Sequence, residues 1–517
     1  MRTATLVLAL TSLWSLSNAS PASEPLSVGL PDLPTRIPAG GASLRTSDVT
    51  VPTSTTAPTS AANSTSTTSS SESVTAASST SSSSVDTTST TISSSSSVNT
   101  TSTTISSSTS AASPTSTFII SEEERRAAFP FDPGFDIEAA AALAESLPTH
   151  SWEYGSAAEA LLELYNPDIA VFGSKPFPVP ALEKSKVKSL TYADDRITIG
   201  APPNIFADGA GSAGDPFSLG VAGVMLGKTQ LRYVLAVEVE INYLLNDVPR
   251  WYNGAMSHRA DVAELWSDWM YMVPPALAYY AVDANDRATL QEAVNQCGYY
   301  RQALQANLSD YAPYKGVWEH IVGPQSPEHG LWSTGNAWAV GGMSRVLATV
   351  MKAPKHLTHG WRDEAIHNLS TWIKEIIDGA LAAPPDDGLL RNYLNDTETD
   401  HGFGEISGSS LIAAVSYRMA VLLPHMFGQE YIDWADNLRR TLGGTDRNGN
   451  PHVKPDGVVT PAVNPLGWLD TAPWTTGSPE GNNFVVLMYV AWRDCVKARV
   501  CSQYGGPRKR SLLSYLF

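Results

Sequence analysis

One periodicity governs the chain beyond Phe118: apolar residues recur at three- and four-residue spacing, the mark of helices with a buried face. It predicts helices over 135–147, 157–165, 230–245, 259–282, 288–308, 335–351, 361–381, 409–426, 431–442 and 483–496. Strand signals are few, the best being the short run 197–199. Gly-, Pro- and Asp-rich loops such as Ala383-Pro384-Pro385-Asp386-Asp387-Gly388 separate the helices. About twelve helices over about 380 residues predict an all-α fold: an (α/α)6 toroid of six helical hairpins, its inner helices apolar almost all round. The aromatic segments at Trp266, Trp338 and Trp492 suit the inner ring. Such a toroid gathers inner-helix N-termini and loops around one cavity, where a site is expected.

The first part of the chain cannot join that core. No aromatic residue occurs between Ser15 and Thr117, and no Lys or Arg between Arg45 and Arg125. A Ser/Thr-dominated segment of this kind buries too little apolar surface to offset its chain entropy. Arg2, an apolar run over 4–16 and Ser17-Asn18-Ala19 predict a signal peptide over 1–19. The expected organisation is then a disordered Ser/Thr-rich stalk over 20–117, a folded domain over 118–504 and a tail over 505–517. O-glycosylation suits the stalk composition, and sequons at Asn63, Asn99, Asn307, Asn368 and Asn395 fit a eukaryotic secretory route. No segment reaches the about 20 apolar residues of a membrane span.

Three cysteines make no disulfide framework; Cys495 and Cys501 are spaced to close a small loop, leaving a buried Cys297. The net charge of −17 argues against nucleic acid and anionic membranes as partners. Nothing in the sequence reports the oligomeric state.

Two familiar patterns are set aside. Gly209-Ala210-Gly211-Ser212-Ala213-Gly214 spells the dinucleotide fingerprint, yet Pro202-Pro203 precedes it and Asp215-Pro216 follows, so the strand and helix that signal needs are missing and a flexible loop is expected. His356 and His359 have no third ligand at zinc spacing.

Asp268 is the informative carboxylate. In a helix flanked by Trp266 and Trp269 it would be desolvated, which raises a carboxyl pKa toward the range of a general acid. Asp261 and Glu264 on the same predicted face read as a solvated stripe. A second carboxylate is needed to bias the first or to activate water. Asp215 is the candidate, although Asp-Pro is also ordinary helix-start chemistry.

The segment Trp266-Ser267-Asp268-Trp269-Met270-Tyr271-Met272-x-Pro274-Pro275-x-Leu277-Ala278 resembles a signature of unsaturated rhamnogalacturonyl hydrolases, six-hairpin glycosidases of the family 105/88 type. Gly316-Val317-Trp318-Glu319-His320, Trp332-Ser333-Thr334-Gly335-Asn336-Ala337-Trp338 and Asp387-Gly388-Leu389-Leu390-Arg391 are similar to later family elements, in order. So are Glu405-Ile406-Ser407-Gly408 and Ser478-Pro479-Glu480-Gly481-Asn482-Asn483-Phe484. The resemblance implies a fungal-type secreted hydrolase of pectin-derived oligosaccharides that end in a 4,5-unsaturated uronyl residue. Asp268 would protonate C4 and take a proton from the water adding at C5, with no metal or organic cofactor. His320, Trp332, Thr334, Asn336 and Trp338 would meet substrate, and Trp266, Trp332 and Trp338 would stack on sugar rings or simply pack the core.

Thr334 departs from the family, where many relatives carry Arg. A guanidinium there would grip the substrate's uronate carboxylate. With Thr in its place, His258, Arg259 or His320 would have to supply the cation. Two other functions remain open: hydrolysis of neutral glycosides by Asp215 and Asp268, which inverting chemistry would separate by about 6.5–9.5 Å, and a non-catalytic cell-wall glycan-binding protein.

Overall fold

Burial sorts the helices into two sets. After α1 (Glu122–Ala128) come six outer–inner pairs: α2 (Ile137–Ser146) with α3 (Ser151–Tyr165), α4 (Lys188–Arg196) with α5 (Gly220–Gly227), and α6 (Leu231–Asn246) with α7 (Trp269–Met272) and α8 (Pro274–Asp283). Next are α9 (Arg287–Leu304) with α10 (Ser333–Lys352), the one-turn α11 (Lys355–Thr358), α12 (Arg362–Ala382) with α13 (Ile406–Leu422), and α14 (Gln429–Leu442) with α15 (Pro479–Lys497). The second member of each pair is buried along almost its whole length, whereas the first buries one stripe. A helix apolar on one side only must face water with the other, so the ring order follows from the pattern. In this computed structural model, which describes residues 118, 120–306 and 314–503, the inner helices close a ring. The 3-10 turn Asp215–Leu219 that leads into α5 meets α3, α5 meets α8, α8 meets α10, α10 meets α13, α13 meets α15, and α15 returns to α3.

The signal peptide over 1–19, the Ser/Thr-rich segment over 20–117, the tail over 505–517 and the sequons at Asn63, Asn99 and Asn307 lie outside the described residues. Among the described residues, no helix is long and apolar enough to cross a membrane.

Close packing and paired charge hold the ring. A Cβ at Gly342 of α10 would lie 1.8 Å from the Met270 carbonyl oxygen, so only glycine lets α10 pass α7 there. Toward the C-terminal ends of the inner helices, Arg345 bridges Glu159 (3.0 Å) and Glu163 (2.6 Å), and Arg418 reaches Glu163 at 2.7 Å. All four are buried. Their mutual pairing offsets the desolvation that an isolated charge would suffer. Cys495 and Cys501 form a disulfide after α15, and Cys297 is buried and free.

Two predicted elements are corrected. The run 259–282 is not one helix: Leu265–Trp266 pairs antiparallel with Ile321–Val322, Ser267 and Asp268 turn, and α7 and α8 follow. The segment is buried on all sides whatever its backbone conformation, so apolar spacing could not distinguish the two. Pro274 and Pro275, lacking N–H groups, start α8 afresh. The run 197–199 forms no strand; Ile197 caps α4, and Thr198 and Gly200 donate to the carbonyls of Phe206 and Ile205.

Candidate active site

The N-terminal ends of the inner helices, α13 excepted, line one cavity of about 210 Å3. Trp152 from the start of α3, Asp215 ahead of α5, Asp268 ahead of α7, Trp332 ahead of α10 and Glu480 in the first turn of α15 all line it. Only α13 sends no side chain into the wall; its N-cap Glu405 lies fully buried behind Ser333 and Thr334. Between the helix ends, His258, Arg259, Trp266 and His320 come from the two segments joined by the short strand pair, and Pro465, Leu466 and Trp468 come from one loop.

The Gly209–Gly214 stretch is a turn clamped to the neighbouring segment. Ala213 N donates to His258 O, Ala260 N to Gly211 O, and Ser212 Oγ accepts from the amides of Gly214 and Asp215. Those bonds fix Asp215 at the wall. Gly214 rather than Asp215 is the N-cap of the helical turn, and Asp215 is its first residue.

Asp215 and Asp268 share the cavity. Burial, then the Asp268 charge, push the Asp215 carboxyl up to about 7, against the opposing pull of Ser212 and Arg259. Asp268 sits in the turn ahead of α7, with 14% of its side chain exposed, rather than inside the apolar helix that the sequence suggests. Ser267 Oγ donates to Asp268 Oδ2 at 3.1 Å, and His320 Nε2 lies 3.4 Å from the same oxygen, in ion-pair range without hydrogen-bond alignment.

The two histidines part ways. Burial, then Arg259 and His320, hold His258 well below the usual range, so it is neutral although its Nδ1 lies 3.9 Å from Asp215. Its ring stacks on Trp266 at 4.6 Å. Burial would also depress His320, but Asp268 on one side and Glu328 on the other outweigh it and raise its pKa. Glu328 Oε2 is 3.1 Å from His320 Nδ1 and also accepts from Tyr393 OH, while Oε1 accepts from Gly330 N. Burial opposes ionisation of Glu328, but these donors keep its carboxyl below the usual range. His320 is thus held between Glu328 and Asp268, the latter facing the cavity.

Arg259 lays its guanidinium over Trp266 at 4.6 Å, with Nε 3.9 Å from Glu264. Glu264 is not the solvated residue that helical spacing suggests: it is fully buried and accepts from Trp266 Nε1 and the amides of Gln325 and Ser326. The extended backbone at 265–266 turns it inward.

Seven residues singled out in the sequence therefore meet at one cavity: Asp215, His258, Arg259, Trp266, Asp268, His320 and Trp332. Thr334, Asn336 and Trp338 do not line it. Thr334 is buried in α10 and donates to Glu405 at 3.0 Å. Asn336 bonds Trp318 N, Trp318 O and Trp332 O, tying the His320 segment to the start of α10. Trp338 packs against Tyr271 and Phe484 in the core. In a helix, positions two and six beyond Trp332 point away from the face it uses, whereas Asn336, one turn on, shares that face but is fully buried and spent on those backbone bonds. Four further wall or support residues escaped: Trp152, Trp468, Glu328 and Glu480. Glu480 stood within a recognised motif, buried and donated to by Trp152 Nε1 at 2.9 Å. Burial, then Asp268 and Glu153, lift its carboxyl well above the usual range. For Trp152, Trp468 and Glu328 no local pattern marked a site.

Comparison with known proteins agrees with this architecture. Residues 226–451 match Glycosyl Hydrolase Family 88. A curated relative, the unsaturated 3S-rhamnoglycuronyl hydrolase of Formosa agariphila, is 31% identical over 152 residues, 28% of this chain. The match spans 37% of that relative's length. Among solved structures, a possible family-105 member from Klebsiella pneumoniae superposes with a TM-score of 0.52 at 15% identity, covering 72% of this chain and 93% of that one. A family-105 glycoside hydrolase of C. acetobutylicum gives 0.51 at 15%, covering 69% and 99%. The family-88 match covers the segment that contains Asp268, and the two superposed structures share the helical fold.

Proposed function

We propose that the protein hydrolyses oligosaccharides ending in a 4,5-unsaturated uronyl residue, of the kind released from pectin, by hydrating the C4–C5 double bond. The observation that carries this is the acid pair: Asp215 and Asp268 face one aromatic-walled cavity, and Asp215 is pushed up to about 7. Burial, then the Asp268 charge, resist ionisation of Asp215, so below about pH 7 the pair holds a proton in the cavity. The relative's activity on an unsaturated rhamnoglycuronyl substrate supports the same chemistry.

The steps balance within the pair. Asp268 delivers the proton to C4, leaving a cation delocalised over C5 and the ring oxygen. Water attacks C5 and returns a proton to the pair. The resulting hemiketal opens and releases the neighbouring sugar, so one water is consumed. The charge left on Asp268 after proton delivery is stabilised by the His320 imidazolium beside it. Trp266, Trp332 and Trp468 give the sugar rings flat apolar faces. Export along a secretory route, suggested by residues 1–19, is supported by the Cys495–Cys501 disulfide, a bond that persists in oxidising compartments.

The test is turnover of unsaturated uronyl disaccharides, followed by loss of the vinyl-ether absorbance, beside saturated and neutral glycosides. Asp268→Asn keeps the shape and cannot carry the proton, so kcat should fall by at least about 10²-fold. Wild-type turnover of neutral glycosides alone, or near-normal turnover by Asp268→Asn, overturns the proposal.

A further inference from the structure

The substrate assigned above carries a carboxylate on C5, one of the two carbons that react and the neighbour of the other. That anion must lie beside the acid pair, and burying it unpaired would cost several kcal/mol. Thr334, the position where the family's guanidinium stands, offers nothing: it is fully buried, outside the cavity wall, and its hydroxyl is bound to Glu405.

Three basic side chains line the wall: His258, Arg259 and His320. His258 is neutral and stacked on Trp266. His320 is committed at both nitrogens, with Asp268 at 3.4 Å and Glu328 at 3.1 Å. Arg259 differs. Among the described residues its side chain donates no hydrogen bond; Glu264 Oε1 is 3.9 Å from Nε, and Nε itself is buried without a partner. Glu264 already accepts from Trp266 Nε1 and two backbone amides. The guanidinium is nevertheless fixed, by stacking on Trp266. A rigid planar fork with unused donors, held at a cavity wall within the electrostatic reach of Asp215, suits bidentate capture of a carboxylate.

Resting on the proposed uronyl chemistry, we infer that Arg259 is the specificity-determining residue that grips the uronate carboxylate, a role moved here from the α10 position of Thr334 to the segment ahead of β1 (Leu265–Trp266). Glu264 and Trp266 are its positioning residues: one sets the Nε edge, the other the plane.

Binding separates this from the hydrolase assignment. In the full chain carrying Asp268→Asn, so that ligand is not consumed, affinity is measured by calorimetry for an unsaturated uronyl disaccharide and for its carboxyl-reduced alcohol. With Arg259 present, the carboxylate form should bind about 10- to 100-fold more tightly, the range of a charge-assisted pair. Arg259→Met should bring the ratio to within about threefold, chiefly by weakening the acid, and Arg259→Lys should leave an intermediate ratio because it keeps charge but not the fork. The ratio between two ligands cancels any general damage to the pocket. If Arg259→Met does not fold, Arg259→Gln takes its place in the same comparison. A ratio near one with Arg259 in place, or a ratio that survives its removal, overturns the assignment. If the ratio depends on Arg259 while the wild type turns over no unsaturated substrate, the hydrolase proposal fails and the carboxylate site stands. If turnover is normal and the ratio ignores Arg259, the carboxylate site alone fails.

Discussion

With the Asp215–Asp268 pair as proton source, kcat should fall as pH rises through about 7. The sign follows from the direction of the shift: the raised carboxyl is protonated and able to supply the proton below that value, and ionised and unable to do so above it. For a single required proton the rate drops about tenfold per pH unit beyond the pKa, so about a tenth remains at pH 8 and about a hundredth at pH 9. Burial, Asp268, Ser212 and Arg259 set the Asp215 value, and His258, which also faces it, is neutral. His320 and Glu480 are neighbours that could imitate the effect, since both are also raised and lose a proton on the alkaline side. Asp215→Asn separates the cases: the limb near 7 should vanish if it belongs to the acid pair and persist if it belongs to His320 or Glu480. The assay is kcat at saturating unsaturated disaccharide between pH 5 and 9, read as loss of the vinyl absorbance. A flat wild-type profile from 6 to 9, or an unchanged limb in Asp215→Asn, refutes the shared-proton mechanism.

Two further outcomes test the fold that carries the site. Glu240 of α6 is fully buried, both its oxygens lack partners, and burial pushes its carboxyl from 4.5 up to about 8. Its native form stays protonated while the unfolded form ionises, so stability is lost as pH rises from about 4.5 toward 8. Glu240→Met should therefore be near neutral at pH 4.5 and stabilise by up to about 4 kcal/mol at pH 7.5, and a pH-independent difference in denaturant unfolding would contradict this. Gly342→Ala forces a methyl onto the Met270 carbonyl and should cost at least about 3 kcal/mol or prevent folding, whereas a loss under about 1 kcal/mol would mean that α7 and α10 do not pass so closely.

The sequence alone determined the ring and the existence of an acid site. Inner helices such as α10 and α15 are buried on every face, and burial of that kind is written locally as apolar and aromatic residues all round the helix rather than along one stripe. Asp268 stood out as a carboxylate amid large apolar residues, and Asp215 as the second carboxylate, at the end of the Gly-rich loop and the start of a helical run. Only the tertiary structure decided how the site is charged and what it can hold. Helical spacing put Glu264 in solvent and Asp268 in a helix, because an all-round apolar run does not say whether its backbone is helical or extended; two residues of strand at 265–266 reverse both placements. Trp152 and Glu480 meet across 328 residues of chain, a contact no local pattern encodes. Which carboxyl keeps a proton, which histidine carries charge and which cation is left free depend on desolvation and on the fields of neighbours brought from distant segments. Those quantities exist only once the ring has closed, and so Arg259 rather than position 334 becomes the unsatisfied cation of the cavity.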